Sequence, residues 1–183
     1  MHMKQETVAA LRQSVLHYAL PRFEQIPDIG LYLEQLTKYI SEYTEPLGLC
    51  PLTGSMVSNY VKQGIIKRPD KKQYGRDQIA HLIFIALAKS ILSLDDLQKF
   101  ISLQQRTYAV STAYNFFCQE LETALGFVFD PGADPVKVPP SNGDEKTILR
   151  NIVITIAHKI YLEKYIAAVT GEKSLPETEP ENP

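Results

Sequence analysis

Apolar positions recur at helical spacing along most of this chain. Val8, Leu11 and Val15 mark a weakly amphipathic stretch over 4–19, and Pro21 closes it. Ile29, Leu33, Leu36, Ile40 and Tyr43 then follow at steps of four, three, four and three, which places one stripe on one helix face. Asp28, after Pro27, is the predicted N-cap of that helix, and Pro46 with Gly48 stops it. Thr53 is the predicted cap of the next helix. Met56, Val57, Tyr60 and Val61 supply its buried face, and Gly64 stands where a left-handed residue ends a helix. From Arg76 to Ser90, Ile79, Leu82, Ile83, Ala86 and Leu87 line one side. Phe84 and Ile85 widen that surface, which predicts a central helix. "SLDD" at Ser93–Asp96 reads as a capping box, and Leu94, Leu97, Phe100 and Ile101 follow as a buried face. A further helix is expected from Val110 to Leu125, with Ala113, Phe116, Phe117, Leu121 and Leu125 inward. The last helix runs from about Asp144 to about Gly171.

The intervals between these stripes carry different signals. Residues 67–74 have almost no apolar content and no period, which fits a loop or two short strands. "DPGADPVKVPPSNGD" cannot sustain a helix and reads as a long loop. The tail "EKSLPETEPENP" is polar and Pro-rich, a composition that stays disordered. Strand signals are otherwise nearly absent. The expected fold class is all-α, with a small β-wing between Ile65 and Tyr74 and additional C-terminal helices.

Composition narrows the function. Hydrophobic residues make up 44% of the 183 and charged residues 22%, enough to build a core in one or two small domains. Cys50 and Cys118 stand far apart and read as reduced thiols, with no disulfide framework and no metal set. His2, His17, His81 and His158 have no partners at ligand spacing. No Gly-rich phosphate loop, H-E-x-x-H or G-x-S-x-G occurs, so neither an enzyme nor a cofactor is expected. "TILRNIVITIAHKIYLEKYIAAV" is strongly apolar, but Arg150, His158, Lys159, Glu163 and Lys164 break it well short of the ~20 residues that span a bilayer. It reads as a buried helix with no membrane partner. Met1–Ala10 lacks the apolar run of a secretory leader, and a cytoplasmic location is expected.

Charge is distributed unevenly. Between Lys62 and Arg76, six basic residues face the single acid Asp70, a net +5, while the whole chain is −2 and the remainder therefore −7. A basic spot on an acidic body is an oriented electrostatic footprint, and a phosphate backbone is its natural partner. A short capped helix, a Gly turn, a basic segment and a further helix also follow one another in the order of a winged helix-turn-helix. The corresponding division is an N-terminal helix or arm over 1–27, the winged domain over 28–106, a helical lobe over 107–170 with its Pro-rich loop at 130–143, and a disordered tail over 171–183.

The residues that carry this order are Thr53, Val57, Tyr60, Lys62, "GII" at Gly64–Ile66, "YGRDQI" at Tyr74–Ile79 and "LSLDDLQKF" at Leu92–Phe100. In order and spacing they resemble the DNA-binding domain of MerR-type regulators over about fifty residues. A longer stretch, from "LPRFEQIPDIGLYLEQL" through "SNYVKQGII" to the last helix, resembles a bacterial family known as a domain of unknown function, number 1836 of its series, taken to hold a MerR-like helix-turn-helix. The resemblance implies a DNA-binding transcriptional regulator with a recognition helix at 53–63 and a basic wing at 67–74. The candidate DNA-binding residues are Thr53, Ser55, Ser58, Asn59, Tyr60 and Lys62 on the helix. Lys67, Arg68, Lys71, Lys72, Tyr74 and Arg76 complete the set. Double-stranded DNA is the expected partner, read by a homodimer, because one small module covers few base pairs. The chain departs from the MerR pattern in three places. Ser55 and Ser58 stand where arginines are usual, Gly75 stands at a Ser cap, and no long coiled coil follows the wing. The alternative is a protein–protein interaction adaptor built on the same fold. A third role is binding of an unknown small-molecule effector, in a pocket formed by Phe116, Phe117, Phe127, Phe129 and Tyr161.

Overall fold

The computed structural model describes residues 5–130, 132 and 143–171. Most of the Pro-rich loop expected at 130–143, and the tail expected to be disordered beyond Gly171, lie outside the described residues. Among those described, seven α-helices and one two-stranded ribbon are formed. The helices are α1 (Gln5–Leu16), α2 (Leu33–Thr44), α3 (Gly54–Lys62), α4 (Arg76–Ala88), α5 (Leu94–Thr107), α6 (Val110–Val128) and α7 (Asp144–Thr170). The strands β1 (Leu31–Tyr32) and β2 (Gln73–Tyr74) pair antiparallel. The protein is mostly helical, and one contiguous apolar cluster runs from Val15 to Ile160.

Helix α4 is the centre of that cluster. Ile79, Ala80 and every residue from Leu82 to Ala88 are buried, with only His81 among them half-exposed. A helix apolar on all sides must be surrounded. Helices α2, α6 and α7 pack on it. Phe84 stands edge-on to Phe117 at 5.1 Å and tilted to Phe100 at 5.7 Å, geometries that aromatic rings favour.

Helices α6 and α7 run side by side in the same direction. Arg150 pairs with Glu120 at 3.0 Å, Lys146 lies over the Phe116 ring at 5.7 Å, and Phe129 meets Tyr161 at 5.2 Å. Parallel neighbours cannot be joined by a tight turn, since the connection must return the whole length of a 19-residue helix, about 28 Å.

The chain from Leu20 to Glu24 is fastened to α6. Glu122 accepts both guanidinium nitrogens of Arg22, at 2.9 and 2.6 Å, and the Leu20 N–H at 3.0 Å. Asn115 Oδ1 accepts the Phe23 N–H at 2.8 Å. The Glu122 carboxylate in turn raises the Arg22 pKa above its ordinary value.

The stripe expected to start a helix at Asp28 begins later. Leu36 and Ile40 are fully buried as expected, but α2 starts at Leu33, Asp28 caps nothing, and Ile29 is 76% exposed. Leu31 and Tyr32 are taken by β2, with Leu31 opposite Tyr74 and Tyr32 opposite Gln73. A long-range ladder thus overrides the local helical pattern. Gly30 permits it, because a Cβ there would stand 2.6 Å from the Cβ of Gln73. Leu94, Ala113 and Phe116, expected inward, are only half-buried.

Replacing Glu122 by Ala removes the acceptor of three donors at a half-buried site. The expected loss is about 2 kcal/mol of unfolding free energy, read as a lower urea midpoint at unchanged m-value. An unchanged midpoint would show that this clamp holds nothing.

Candidate nucleic-acid interface

Thr53 opens α3: its Oγ1 accepts the Met56 N–H at 3.3 Å and lies 2.9 Å from Ser55 Oγ. Val57 and Tyr60 face the core, and Ser55, Asn59 and Lys62 face solvent. Met56, expected on the buried face, is 37% exposed instead, with Lys89 Nζ 3.8 Å from its sulfur. Ser58 is half-buried and its hydroxyl donates to the Gly54 carbonyl at 2.9 Å. The helix stops at Gly64, whose φ of +74° suits glycine. The Ile65 and Ile66 N–H groups then both bond the Tyr60 carbonyl, at 3.0 and 3.3 Å.

Ile65 and Ile66 return the chain to the core, and the next residues swing out again. Lys67 and Arg68 are exposed. A tight turn follows, in which the Gln73 N–H donates to the Asp70 carbonyl at 2.7 Å. Its two central residues are Lys71, φ +46°, and Lys72, φ +66°, both exposed. Left-handed backbone at both positions is where Asn-Gly is sterically favoured. Two lysines there are under strain of about 1–2 kcal/mol each.

One side chain ties the two ends of this segment together. Gln78 Oε1 accepts the Gly75 N–H at 2.7 Å, and its Nε2 donates to the Lys67 carbonyl at 2.8 Å. The start of α4 has no side-chain N-cap bond, and the glutamine three residues on supplies only the reciprocal half of a capping box by accepting the Gly75 N–H. Tyr32 with Gln35, at 3.0 Å, and Arg22 with Gln25, at 2.7 Å, repeat the device.

The twelve candidate residues therefore divide. Thr53, Ser55, Asn59, Lys62, Lys67, Arg68, Lys71 and Lys72 share the exposed surface of α3 and the basic segment. The five cations among these eight form no ion pair within the described residues. Tyr60 and Tyr74 are core residues at 4% and 5% exposure, and burial pushes both hydroxyl pKa values up. Arg76 turns inward: its Nε donates to the Ile26 carbonyl at 2.9 Å and its guanidinium lies over the Phe23 ring at 5.7 Å. Ser58 spends its proton within its own helix.

Sequence reasoning missed two neighbours of this surface. Tyr32, 51% exposed, sits opposite Gln73 on the ribbon, and Lys89 flanks α3 through Met56. Neither carries a local signal, since both arrive through long-range contacts. The aromatic residues expected to line an effector pocket stand in different surroundings. Phe117 and Phe129 are packed in the core, Phe127 is 48% exposed, Phe116 borders a cavity of about 110 Å³, and Phe117 lines another of about 20 Å³. Among the described residues, no three His, Cys, Asp or Glu side chains come together as metal ligands, and no helix is long and apolar enough to cross a membrane.

Fold and surface thus define a mostly helical protein that presents a short capped helix beside a strained basic turn. The chain belongs to the family described as Domain of unknown function (DUF1836), whose model matches residues 21–117. That match covers everything from the arm to the first turns of α6. No curated protein and no solved structure matches the chain.

Replacing Lys71 by Asn and Lys72 by Gly should relieve the turn. Stability should rise by about 1 kcal/mol, measured as a higher urea midpoint. A lower midpoint would mean that the two lysines make stabilising contacts that the turn geometry does not reveal.

Proposed function

We propose that this chain is a DNA-binding transcriptional regulator with a MerR-like winged helix-turn-helix. Helix α3 lies in the major groove of double-stranded DNA and the basic turn rests on the adjacent phosphates. The observation that carries this reading is the pair of lysines held in left-handed backbone at the tip of an exposed turn. Strain of this kind persists where it serves a function, and two cations at a loop tip serve contact with polyanions. The helix supports the same reading. Asn59 and Ser55 are exposed on it with donors and acceptors able to meet base edges, and Lys62, Lys67 and Arg68 are exposed at its end and just after it. Tyr60, Tyr74 and Arg76 then act by holding the surface, not by touching DNA. A cytoplasmic location goes with this role.

Two copies fit a duplex better than one, because paired half-sites multiply the few contacts that one small module makes. The outer face of α7 supplies a surface for pairing. Leu162, Ile166 and Val169, spaced by four and three, are 55%, 54% and 52% exposed, and Ile148 is 38% exposed on the same helix. That spacing is the seam of helix-to-helix association.

An adaptor role draws on a different observation. The hydroxyls of Ser55 and Ser58 are engaged with Thr53 and Gly54, while Met56 and Tyr32 expose apolar surface beside them. The two readings separate on salt. DNA binding predicts retention of a random duplex that falls with log salt concentration at a slope of roughly −3 to −4, for four or so phosphate contacts. Lys71→Glu with Lys72→Glu should remove that retention and leave the fold intact by circular dichroism. If the wild type shows no salt-dependent retention, the DNA reading fails and the adaptor stands. Leu162→Glu with Ile166→Glu should convert a dimer into a monomer by light scattering. A wild-type monomer at high concentration would dismiss the pairing face.

A further inference from the structure

A cleft of about 250 Å³ borders the basic segment, between its root, α4 and α5. Lys67 and Asp77 line it, together with His81 and Gln105, over a floor that includes Ile66 and Ile101. Lys67 and Asp77 carry opposite charges but pair neither with each other nor with another described residue. Both are close enough to His81 to act on its titration: Asp77 raises its pKa and Lys67 lowers it, against the larger lowering by burial. His81 Nε2 and Gln105 Nε2 are 3.2 Å apart, so these two side chains partner each other in the wall. A separate cavity of about 20 Å³, lined by Phe84 and Phe117, has His81 and Val110 in common with the cleft's lining.

We propose that this cleft binds a small zwitterion of the free α-amino-acid class. An ammonium set on Asp77 and a carboxylate set on Lys67 satisfy two charges that the fold leaves apart. A ligand with only one of those groups makes only one of the two charge contacts. The cleft is smaller than the ~300–1,000 Å³ of drug-sized sites, and this suits one amino acid better than a peptide or a nucleotide. The isoleucine floor accepts the aliphatic part of a side chain.

The position gives such a ligand a consequence. Gln78 already clamps the Lys67 carbonyl to the start of α4. A zwitterion bridging Lys67 and Asp77 adds a second clamp across the same root and fixes the basic turn relative to α3. That last step rests on the DNA reading; binding itself does not.

The test is an amide ¹H–¹⁵N titration of the full chain, without DNA, by free L-leucine, L-methionine and L-glutamine, and by N-acetyl-L-leucine amide as the uncharged control. At least one free amino acid should give saturable shifts at residues 65–67, 77–81 and 98–105, and the blocked compound none. Asp77→Asn and Lys67→Gln should each weaken binding about tenfold, equivalent to ~1.4 kcal/mol, at unchanged thermal midpoint. The absence of saturable shifts at millimolar concentrations of all three amino acids overturns the proposal, as does equal binding of the blocked compound. A duplex-retention assay run with and without the bound amino acid then reads the coupling. Failure of that assay for the apo protein rejects the DNA reading and leaves the titration result standing.

Discussion

The constraint on which the rest of this structure depends is the burial of α4 from Ile79 to Ala88, His81 apart. A helix without a polar side has no stable place at a surface. Nine of its thirteen residues are buried, and the remaining elements are arranged so as to cover it. Helix α2 covers one side, α6 and α7 cover others, and Phe100 of α5 closes against Phe84. The parallel course of α6 and α7 follows from the same need. Two long helices lying in one direction give a broad apolar face, at the cost of a long connection. The arm at 20–24 then locks onto α6 through Glu122 and Asn115.

The first turn of α4 is also where the basic segment is held. Gln78 joins its two ends, Arg76 reaches back to Ile26 and Phe23, and Tyr74 packs beneath. The core thus sets the root of the segment rigidly while its tip carries two lysines in strained backbone. A rigid root limits the ordering entropy that contact with a partner costs. The cleft under this root is bordered by Gly64 to Lys67, by the first turns of α4 and by α5.

Much of this was legible in the sequence. Thr53 and Ser93 were readable as caps, because a cap is a local bond between a hydroxyl and an N–H three residues on. Gly64 was readable as a helix stop, since left-handed backbone is a property of one residue. The start of α2 was not. Ile29 continues the helical stripe perfectly well, and only pairing of Leu31 and Tyr32 with strand residues some forty positions later takes it out of the helix. The candidate surface divides in the same way. Lysines at 62, 67, 71 and 72 were identifiable because long charged side chains stay in water almost anywhere. Tyr60, Tyr74 and Arg76 could each have faced either way, and burial decided them.

The sequence by itself determined the helical class, most helix boundaries, the central helix and the place of the positive charge. These depend on periodicity, capping chemistry and composition, all of which act within a few residues. Tertiary structure alone decided which amphipathic residues face the core, that β1 rather than a neighbouring strand receives β2, and that α6 and α7 run parallel. It also brought Lys67 and Asp77 to one cleft and Lys89 to the side of α3. Each of these outcomes turns on contacts between residues distant along the chain. Their free energy exists only once the core has closed around α4, and no local pattern encodes it.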